Sequence, residues 1–256
     1  MIHKTAIIDK NAKLGKNVKI GPYCIIEEDV SIGAGSEIKS HVSIAKHTHI
    51  GKNNRIFPYA SIGEEPQDKK YQGEATQTII GDNNTIREYV TINRGTIDDK
   101  GITTIGNNNL IMAYVHIAHD CRLKDNIIIA NGTTLAGHVH LDDYVILGGF
   151  TKLHQFCRIG AHAFTAMDTG FQKDLPPYMV AHGNPAKPRT INSEGLKRRG
   201  FSQSDIRALK KAFKILYKSD LQLSQALQQM QDLANTHNCV QIIIDFINSS
   251  KRSIVR

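Results

Sequence analysis

Isoleucine or leucine stands at every sixth position along most of this chain. One unbroken series runs from Ile2 to Ile62, a short one from Ile80 to Ile92, and a third from Ile105 to Ile159. A helix buries positions about 3.6 residues apart and an ordinary strand buries every second residue, so neither produces this spacing. Three short strands per turn of a coil would produce it, and hexapeptide repeats are a signature of parallel β-helices. The sequence therefore predicts a mainly β fold.

Small residues occupy the position four places after each aliphatic residue. Val18 and Val42 belong to this set, and so do Cys24, Cys121 and Cys157. We expect these cysteines to fill interior space rather than to act in catalysis. The four cysteines of the chain have neither disulfide nor zinc-site spacing.

The aliphatic series is interrupted twice and then ends. Residues 63–79 and 93–104 are polar and contain glycine, so we expect two loops that leave the coil and carry binding groups. After Ser193 the apolar residues recur at helical spacing. We therefore predict a β-helix over residues 1–190 and a small C-terminal α-helical domain over residues 191–256.

Composition narrows the choice of partners. The net charge of +8 favours an anionic substrate or partner. Aromatic residues are sparse, which argues against nucleic-acid binding by base stacking. No apolar run approaches the length of a membrane span, and the N-terminus lacks the apolar core of a signal peptide, so we expect a cytoplasmic protein.

The stretch VHIAHDCRL contains polar residues that a structural repeat does not need. If each coil takes about 18 residues, His119, Gly137 and Gln155 stack above one another with His138 and His154 beside them. Several histidines on one side of the coil predict a functional site. Three imidazoles could hold zinc with an open position, as in hexapeptide-repeat carbonic anhydrases. One neutral imidazole could instead act as a general base.

Residue spacing alone leaves both chemistries open, together with a structural or binding module that has lost catalysis. The residue strings are more specific. HIAHDC, LAGHV, HQFCRIGAHA, GNPAKP and NSEGLKRRGFS closely resemble the UDP-N-acetylglucosamine 3-O-acyltransferases of lipid A biosynthesis, and the similarity covers essentially the whole chain. The resemblance implies a left-handed parallel β-helix, a homotrimer with sites between subunits, and no metal or organic cofactor.

The same resemblance assigns roles to individual residues. His119 matches the general base, Asp120 its supporting carboxylate, and Gly137 the backbone donor to the oxyanion. The donor would be a 3-hydroxyacyl chain on acyl carrier protein, and the acceptor UDP-N-acetylglucosamine. Contacts to that sugar nucleotide fall on Asp68, Lys70, His116, His138, His154, Gln155, Asn192, Glu194, Arg198 and Arg199.

Three further features bear on specificity. Met167 stands where relatives that use long chains have glycine, so the resemblance implies a donor of about ten carbons. Pro185 replaces a histidine that close relatives can carry in the nucleotide site. A basic run that includes Lys197, Lys210 and Lys214 could dock the acidic acyl carrier protein, although it could equally be a solvated helix face.

Overall fold

The chain winds into a coil whose successive turns lie in register. The computed structural model describes residues 1–256. In the regular part, residues 18 apart are neighbours in parallel strands, as in the pairs Ile7 with Ile25 and Ile8 with Ile26. Each turn contributes one short strand to each of three sheets, and every strand pair is parallel except the last one. The predicted β-helix of hexapeptide repeats is therefore confirmed.

The strands are numbered in chain order. The first sheet consists of β1 (Ile7–Ile8), β4 (Ile25–Ile26), β7 (Ser43–Ile44), β10 (Ser61–Glu64), β13 (Thr91–Asn93), β16 (His116–Ile117), β19 (Thr134–Leu135), β22 (Lys152–Leu153) and β25 (Gly170–Phe171). The second sheet consists of β2 (Lys13–Leu14), β5 (Ser31–Ile32), β8 (Thr48–Ile50), β11 (Gln77–Ile80), β14 (Ile102–Ile105), β17 (Arg122–Leu123), β20 (His140–Leu141) and β23 (Arg158–Ile159). The third sheet consists of β3 (Lys19–Ile20), β6 (Glu37–Ile38), β9 (Arg55–Ile56), β12 (Thr85–Ile86), β15 (Leu110–Ile111), β18 (Ile128–Ile129), β21 (Ile146–Leu147), β24 (Phe164–Thr165), β26 (Met179–His182) and β27 (Lys187–Ile191).

The interior of the coil is a stack of aliphatic side chains. The second residue of most strands points inward, and Ile44, Ile62 and Ile117 have no solvent exposure. Burial of such side chains stabilises the coil by about 25 cal/mol per Å² of apolar surface removed from water. Cys121 and Cys157 are equally buried, so they fill interior space as their position in the repeat predicts.

The chain turns between sheets through residues with left-handed backbone angles. Tyr89, Asp120 and His138 have φ values of 59°, 59° and 60°. The turns of successive coils stack into three columns, which we call corners. The histidine corner, between the first and second sheets, comprises residues 119–120, 137–138 and 155–156. The third corner, between the second and third sheets, includes Tyr144, His162 and Tyr178. The aromatic corner, between the third and first sheets, includes Tyr23, His41, Tyr59, Tyr89, Tyr114 and, further along, residues 149–150 and 167–168.

Both predicted loops leave the coil at the corner between the first and second sheets. Ser61 pairs with Thr91 and Thr91 with His116, so the separations of 30 and 25 residues replace the usual 18. The excursions span only residues 65–76 and 94–101, because β10, β11, β13 and β14 extend into the stretches that the sequence marks as loops. We call them the first and second excursions.

The C-terminal segment is helical and packs on the end of the coil. It consists of α1 (Ser193–Arg198), α2 (Gln203–Tyr217), α3 (Leu223–Ala234) and α4 (Asn238–Asn248). Ser202 caps α2 by accepting a hydrogen bond from the Asp205 N–H. The chain then returns to the coil, where the Val255 N–H donates to the Asp174 carbonyl. No helix has both the length and the apolar character that crossing a membrane requires.

Candidate active site

His119 and Asp120 form a buried hydrogen-bonded pair at the histidine corner. His119 Nδ1 lies 2.8 Å from Asp120 Oδ2, and the residues are 7% and 0% exposed. Neighbours in an extended strand point to opposite faces, so this contact requires the left-handed turn at Asp120. An ionised carboxylate only accepts hydrogen bonds, so Nδ1 carries a proton, and in the neutral tautomer the lone pair lies on Nε2.

Asp120 is held by a set of donors. The Thr96 N–H lies 3.0 and 3.1 Å from its two carboxylate oxygens, and the Thr96 hydroxyl donates to Oδ2 over 2.7 Å. Burial acts to raise the pKa of Asp120, but the hydrogen bonds from His119 and Thr96 outweigh it and leave the pKa below its ordinary value. The carboxylate is therefore ionised at neutral pH.

Gly137 lies against the imidazole ring one coil further on. A Cβ at this position would sit 2.6 Å from His119 Cε1 and 2.7 Å from Nε2, so only glycine fits without moving the ring. The Gly137 N–H has no hydrogen-bond acceptor within the chain. The same is true of the N–H groups of His119 and Gln155, which occupy the same place in their coils. The corner thus leaves a free backbone donor beside the histidine.

His138 and Phe156 complete the wall of the histidine corner. The His138 ring lies edge-on to His119 with centroids 5.1 Å apart, and it stacks on Phe156 at 4.4 Å. An open groove of about 820 Å³ runs along this wall. Its lining includes Asp68, Lys70, His119, His138 and Gln155, five residues that the sequence identifies as site residues.

Both excursions contribute residues to the lining of this groove. Lys70 of the first excursion lies 3.3 Å from Asp98 of the second. Asp99 of the second excursion forms an ion pair with Arg122 and lies 3.6 Å from His138 Nδ1. Charged groups from both excursions therefore surround the open side of the histidine pair.

His116 and His154 lie on the neighbouring face of the coil rather than in the groove. His116 is on β16, and its Nδ1 lies 2.8 Å from Thr91 Oγ1. Burial, followed by the charge of nearby His119, lowers the pKa of His116, so its imidazole is neutral at pH 7. His154 is exposed, and its Nδ1 lies 3.3 Å from the Gln155 carbonyl.

The remaining predicted residues lie elsewhere in the same chain. Asn192 donates to the His162 carbonyl, and Arg199 lies over the Tyr144 ring at 4.9 Å, both at the third corner. Arg198 is exposed, and Glu194 is exposed and paired with Lys197 at 2.8 Å. Met167 is 71% exposed on the aromatic corner. A single chain does not gather these residues around His119.

The histidine corner also contains one group of potential metal ligands. Ligand atoms of His119, Asp120 and His138 lie within 4.8 Å of one another. Two imidazoles and one carboxylate differ from the three imidazoles that a carbonic-anhydrase type of centre needs. Asp120 Oδ2 already accepts hydrogen bonds from His119 and Thr96, so a metal would have to displace them.

The residues that hold His119 and Asp120 in place were not identified from the sequence. Thr96 and Asp99 contact Asp120, Arg122 and His138 from a segment that the sequence marks only as a polar loop. Thr103 also escaped notice, and its hydroxyl accepts a hydrogen bond from the Asp120 N–H at 2.8 Å. Each lies 17 to 24 residues before Asp120, and no periodic signal connects them to it.

Three family models match parts of the chain. The model described as "Udp N-acetylglucosamine O-acyltransferase; Domain 2" matches residues 174–255. "Bacterial transferase hexapeptide (six repeats)" matches residues 102–137, and "GMPPB C-terminal domain" matches residues 1–103. Together they match residues 1–137 of the coil and residues 174–255, which include the helical segment.

Proteins of similar sequence and structure extend along the entire chain. The acyl-(acyl-carrier-protein)–UDP-N-acetylglucosamine O-acyltransferase of Janthinobacterium sp. (strain Marseille) is 56% identical over 100% of this chain and 99% of its own. The Pseudomonas putida (strain W619) protein of the same name is 48% identical over the same shares. Among solved structures, the Francisella novicida UDP-N-acetylglucosamine acyltransferase matches with a TM-score of 0.98 and 46% identity, over 100% of this chain and 94% of its own.

Proposed function

Because the chain belongs to the acyl-(acyl-carrier-protein)–UDP-N-acetylglucosamine O-acyltransferases, the hexapeptide-repeat acyltransferases of lipid A biosynthesis, we propose that it transfers a 3-hydroxyacyl chain from acyl carrier protein to the 3-hydroxyl of UDP-N-acetylglucosamine. One observation carries the chemical part of this proposal: the buried pair of His119 and Asp120 lies against a free backbone N–H at Gly137.

His119 acts as the general base. Its Nδ1–H donates to Asp120, so Nε2 accepts the proton of the sugar 3-hydroxyl as the oxygen attacks the thioester carbonyl. The ionised Asp120 stabilises the imidazolium that forms. When the tetrahedral intermediate collapses, the C–S bond breaks, and the imidazolium returns the proton to the departing thiolate of the carrier.

Gly137 supplies the donor for the oxyanion. Its free N–H stabilises the negative oxygen of the tetrahedral intermediate, a contact worth about 3 kcal/mol in other enzymes. No metal or organic cofactor takes part in this scheme.

Substrate binding uses two subunits of a homotrimer. Asp68, Lys70, His138 and Gln155 line the groove beside His119, and His116 and His154 flank it. Asn192, Glu194, Arg198 and Arg199 lie away from that groove in one chain, which supports their reaching the site of a neighbouring subunit. Replacing His116 with alanine should therefore raise KM for the sugar nucleotide more than it lowers kcat.

Met167 sets the length of the acyl chain. Its side chain extends from the aromatic corner into solvent in one chain, where a neighbouring subunit's acyl pocket would meet it. A methionine there fills the space that the last methylenes of a long chain need, so the preferred donor has about ten carbons.

Acyl carrier protein docks on α2. Lys210 and Lys214 lie on that helix and are exposed, and the carrier is acidic. Charge reversal at both lysines should raise KM for the carrier-bound donor and leave KM for the sugar nucleotide unchanged. Equal effects on both KM values would exclude a dedicated docking surface.

A zinc enzyme is the second candidate, and the ligand group of His119, Asp120 and His138 is the observation that favours it. Elemental analysis of the purified protein, with and without a chelator, separates the two candidates. Stoichiometric zinc whose removal abolishes turnover would replace the general-base mechanism.

The decisive experiment is an acyl-transfer assay with purified protein. Turnover of 3-hydroxyacyl carrier protein with UDP-N-acetylglucosamine should yield the 3-O-acyl sugar nucleotide without added metal. Absence of product with donors of about ten to fourteen carbons, spanning the chain lengths expected here, would exclude the proposed function.

A further inference from the structure

The second excursion holds the catalytic carboxylate through a single residue. Thr96 is 5% exposed and uses both of its donors on Asp120, the backbone N–H at 3.0 and 3.1 Å and the hydroxyl at 2.7 Å. His119 is the only other side chain that donates to this carboxylate, and His138 faces it with Nε2 at 3.8 Å from Oδ2. The orientation of the histidine therefore depends on a carboxylate that Thr96 fixes in turn.

Arg94 anchors the segment that carries Thr96. It is buried at 2% exposure, and its guanidinium donates to the Gly63 carbonyl, to Glu65 Oε1 and to the Tyr71 hydroxyl at 3.0, 3.2 and 3.1 Å. A planar guanidinium can make three such bonds in fixed directions, which lysine cannot. Both excursions are thus tied to one buried cation two residues before Thr96.

We propose that Thr96 is a positioning residue for the histidine pair and that Arg94 connects it to the first excursion, which carries Asp68 and Lys70. This inference rests on the proposed function, because it assigns the pair its role as base and support. Arg94 then holds both the excursion whose groups bind the sugar nucleotide and the residue that fixes the carboxylate of the base.

The hydroxyl of Thr96 competes with His119 for Asp120 Oδ2. Without that hydroxyl the carboxylate keeps a backbone donor but loses its shortest hydrogen bond. It then accepts more strongly from the His119 Nδ1–H and moves toward the imidazole. The geometry of the pair changes, although neither member is altered.

Thr96→Val tests this role, since valine keeps the shape and removes only the hydroxyl. We expect kcat to fall roughly tenfold, in line with the cost of slightly misplaced catalytic groups. KM for the sugar nucleotide should stay nearly constant. The acid limb of the kcat profile should move to higher pH, because a carboxylate with one donor fewer holds the imidazolium more tightly. Thr96→Ser should restore the parent behaviour.

A matched control and a substrate-free measurement keep the test decisive. Thr78→Val also removes a fully buried threonine hydroxyl, but that hydroxyl has no hydrogen-bond partner, so kcat and its pH profile should not change. Proton NMR of the free protein reports the His119 Nδ1–H signal, identified by its loss in His119→Ala. Thr96→Val should shift this signal downfield even if the protein transfers no acyl group.

The outcomes separate the two proposals. An unmoved Nδ1–H signal, or a loss of activity that is equal at all pH values and follows a lower Tm, would overturn the role of Thr96. Arg94→Lys should shift the same signal partly and raise KM for the sugar nucleotide. An unchanged signal in this variant would overturn the connection through Arg94. A shifted signal in a protein without transferase activity would reject the proposed function alone.

Discussion

The backbone turns in the same left-handed conformation at the histidine corner and at the aromatic corner, but the side chains at the two corners differ in burial. Tyr114 and Asp120 turn the chain with φ values of 62° and 59°. At the aromatic corner, the rings of Tyr59, Tyr89 and Tyr114 stack at 5.1 and 4.9 Å with 44–64% of their surface exposed. At the histidine corner, Asp120 is fully buried.

The difference comes from the two excursions. Both leave the coil at the histidine corner, and they cover it with Thr96, Asp99 and Lys70. Removal from water strengthens each hydrogen bond to a charged group, and the added donors keep the carboxylate ionised. The repeated coil thus supplies the same turn at every corner, whereas the inserted segments add hydrogen-bond donors and charged groups at one corner only.

The largest expected difference between the corners comes from replacing one ring at each of them with alanine. His119→Ala should lower kcat by about 10²–10⁴, because it removes the proposed general base. Tyr59→Ala at the aromatic corner should leave kcat unchanged and reduce stability, because each aromatic pair contributes about 0.5–1.5 kcal/mol. Steady-state kinetics and thermal unfolding measure both. If His119→Ala keeps a kcat close to that of the parent, His119 is not the general base.

A second comparison uses two glycines that each precede the left-handed residue of their corner, Gly137 at the histidine corner and Gly149 at the aromatic corner. Gly137→Ala should lower kcat by roughly 10²-fold, because its Cβ would meet the His119 ring at 2.6 Å and displace the proposed base and the proposed oxyanion donor. At the aromatic corner, an added Cβ at Gly149 would make only ordinary contacts, the shortest at 3.4 Å to the Asn131 carbonyl oxygen. That Cβ would also lie 4.0 Å from Met167 Cγ, so Gly149→Ala should retain kcat with the preferred donor and change at most the choice between donor lengths. Equal losses of kcat in both variants would indicate a general effect on the coil.

A substitution at Met167 tests whether the aromatic corner of one subunit faces the acyl pocket of its neighbour. Met167→Gly should shift the kcat/KM preference from a donor of about ten carbons toward one of about fourteen, by roughly tenfold or more, since each buried methylene contributes about 0.8 kcal/mol. The assay compares both donors with the parent and the variant. If the parent already prefers the longer donor, or the glycine variant does not shift, this part of the aromatic corner does not face the acyl pocket.

The smallest effect concerns His162, whose pKa is lowered mainly by burial. Burial, followed by the charge of Arg199, lowers the pKa of His162 from 6.5 to about 4. Between these values the unfolded chain binds more protons than the folded one, so the free energy of unfolding decreases as the pH falls from 6.5 to 4. His162→Phe keeps the stack between Tyr144 and Tyr178 and should flatten this decrease in Tm. An identical slope in both proteins would assign the acid sensitivity elsewhere.

Periodic features of the molecule could be predicted and aperiodic ones could not. The six-residue spacing predicted the coil, and an 18-residue turn placed His119, Gly137 and Gln155 on one corner. The excursions are shorter than predicted because strands β10, β11, β13 and β14 continue through Gly63, Thr78, Asn93 and Thr103, which are buried although they are not aliphatic. The contact between Thr96 and Asp120 follows from the path of an inserted segment, which no repeat encodes.

The four native cysteine thiols are unreactive because they are buried. Burial raises the pKa of Cys121 to about 12 and those of Cys157 and Cys239 to about 11. At pH 7 only about one Cys121 in 10⁵ is a thiolate, the form that alkylating reagents attack. A cysteine introduced at exposed Met167 would therefore be the one readily labelled thiol of the folded chain. Maleimide probes and cross-linkers placed there can report on subunit contacts without prior removal of the natural cysteines.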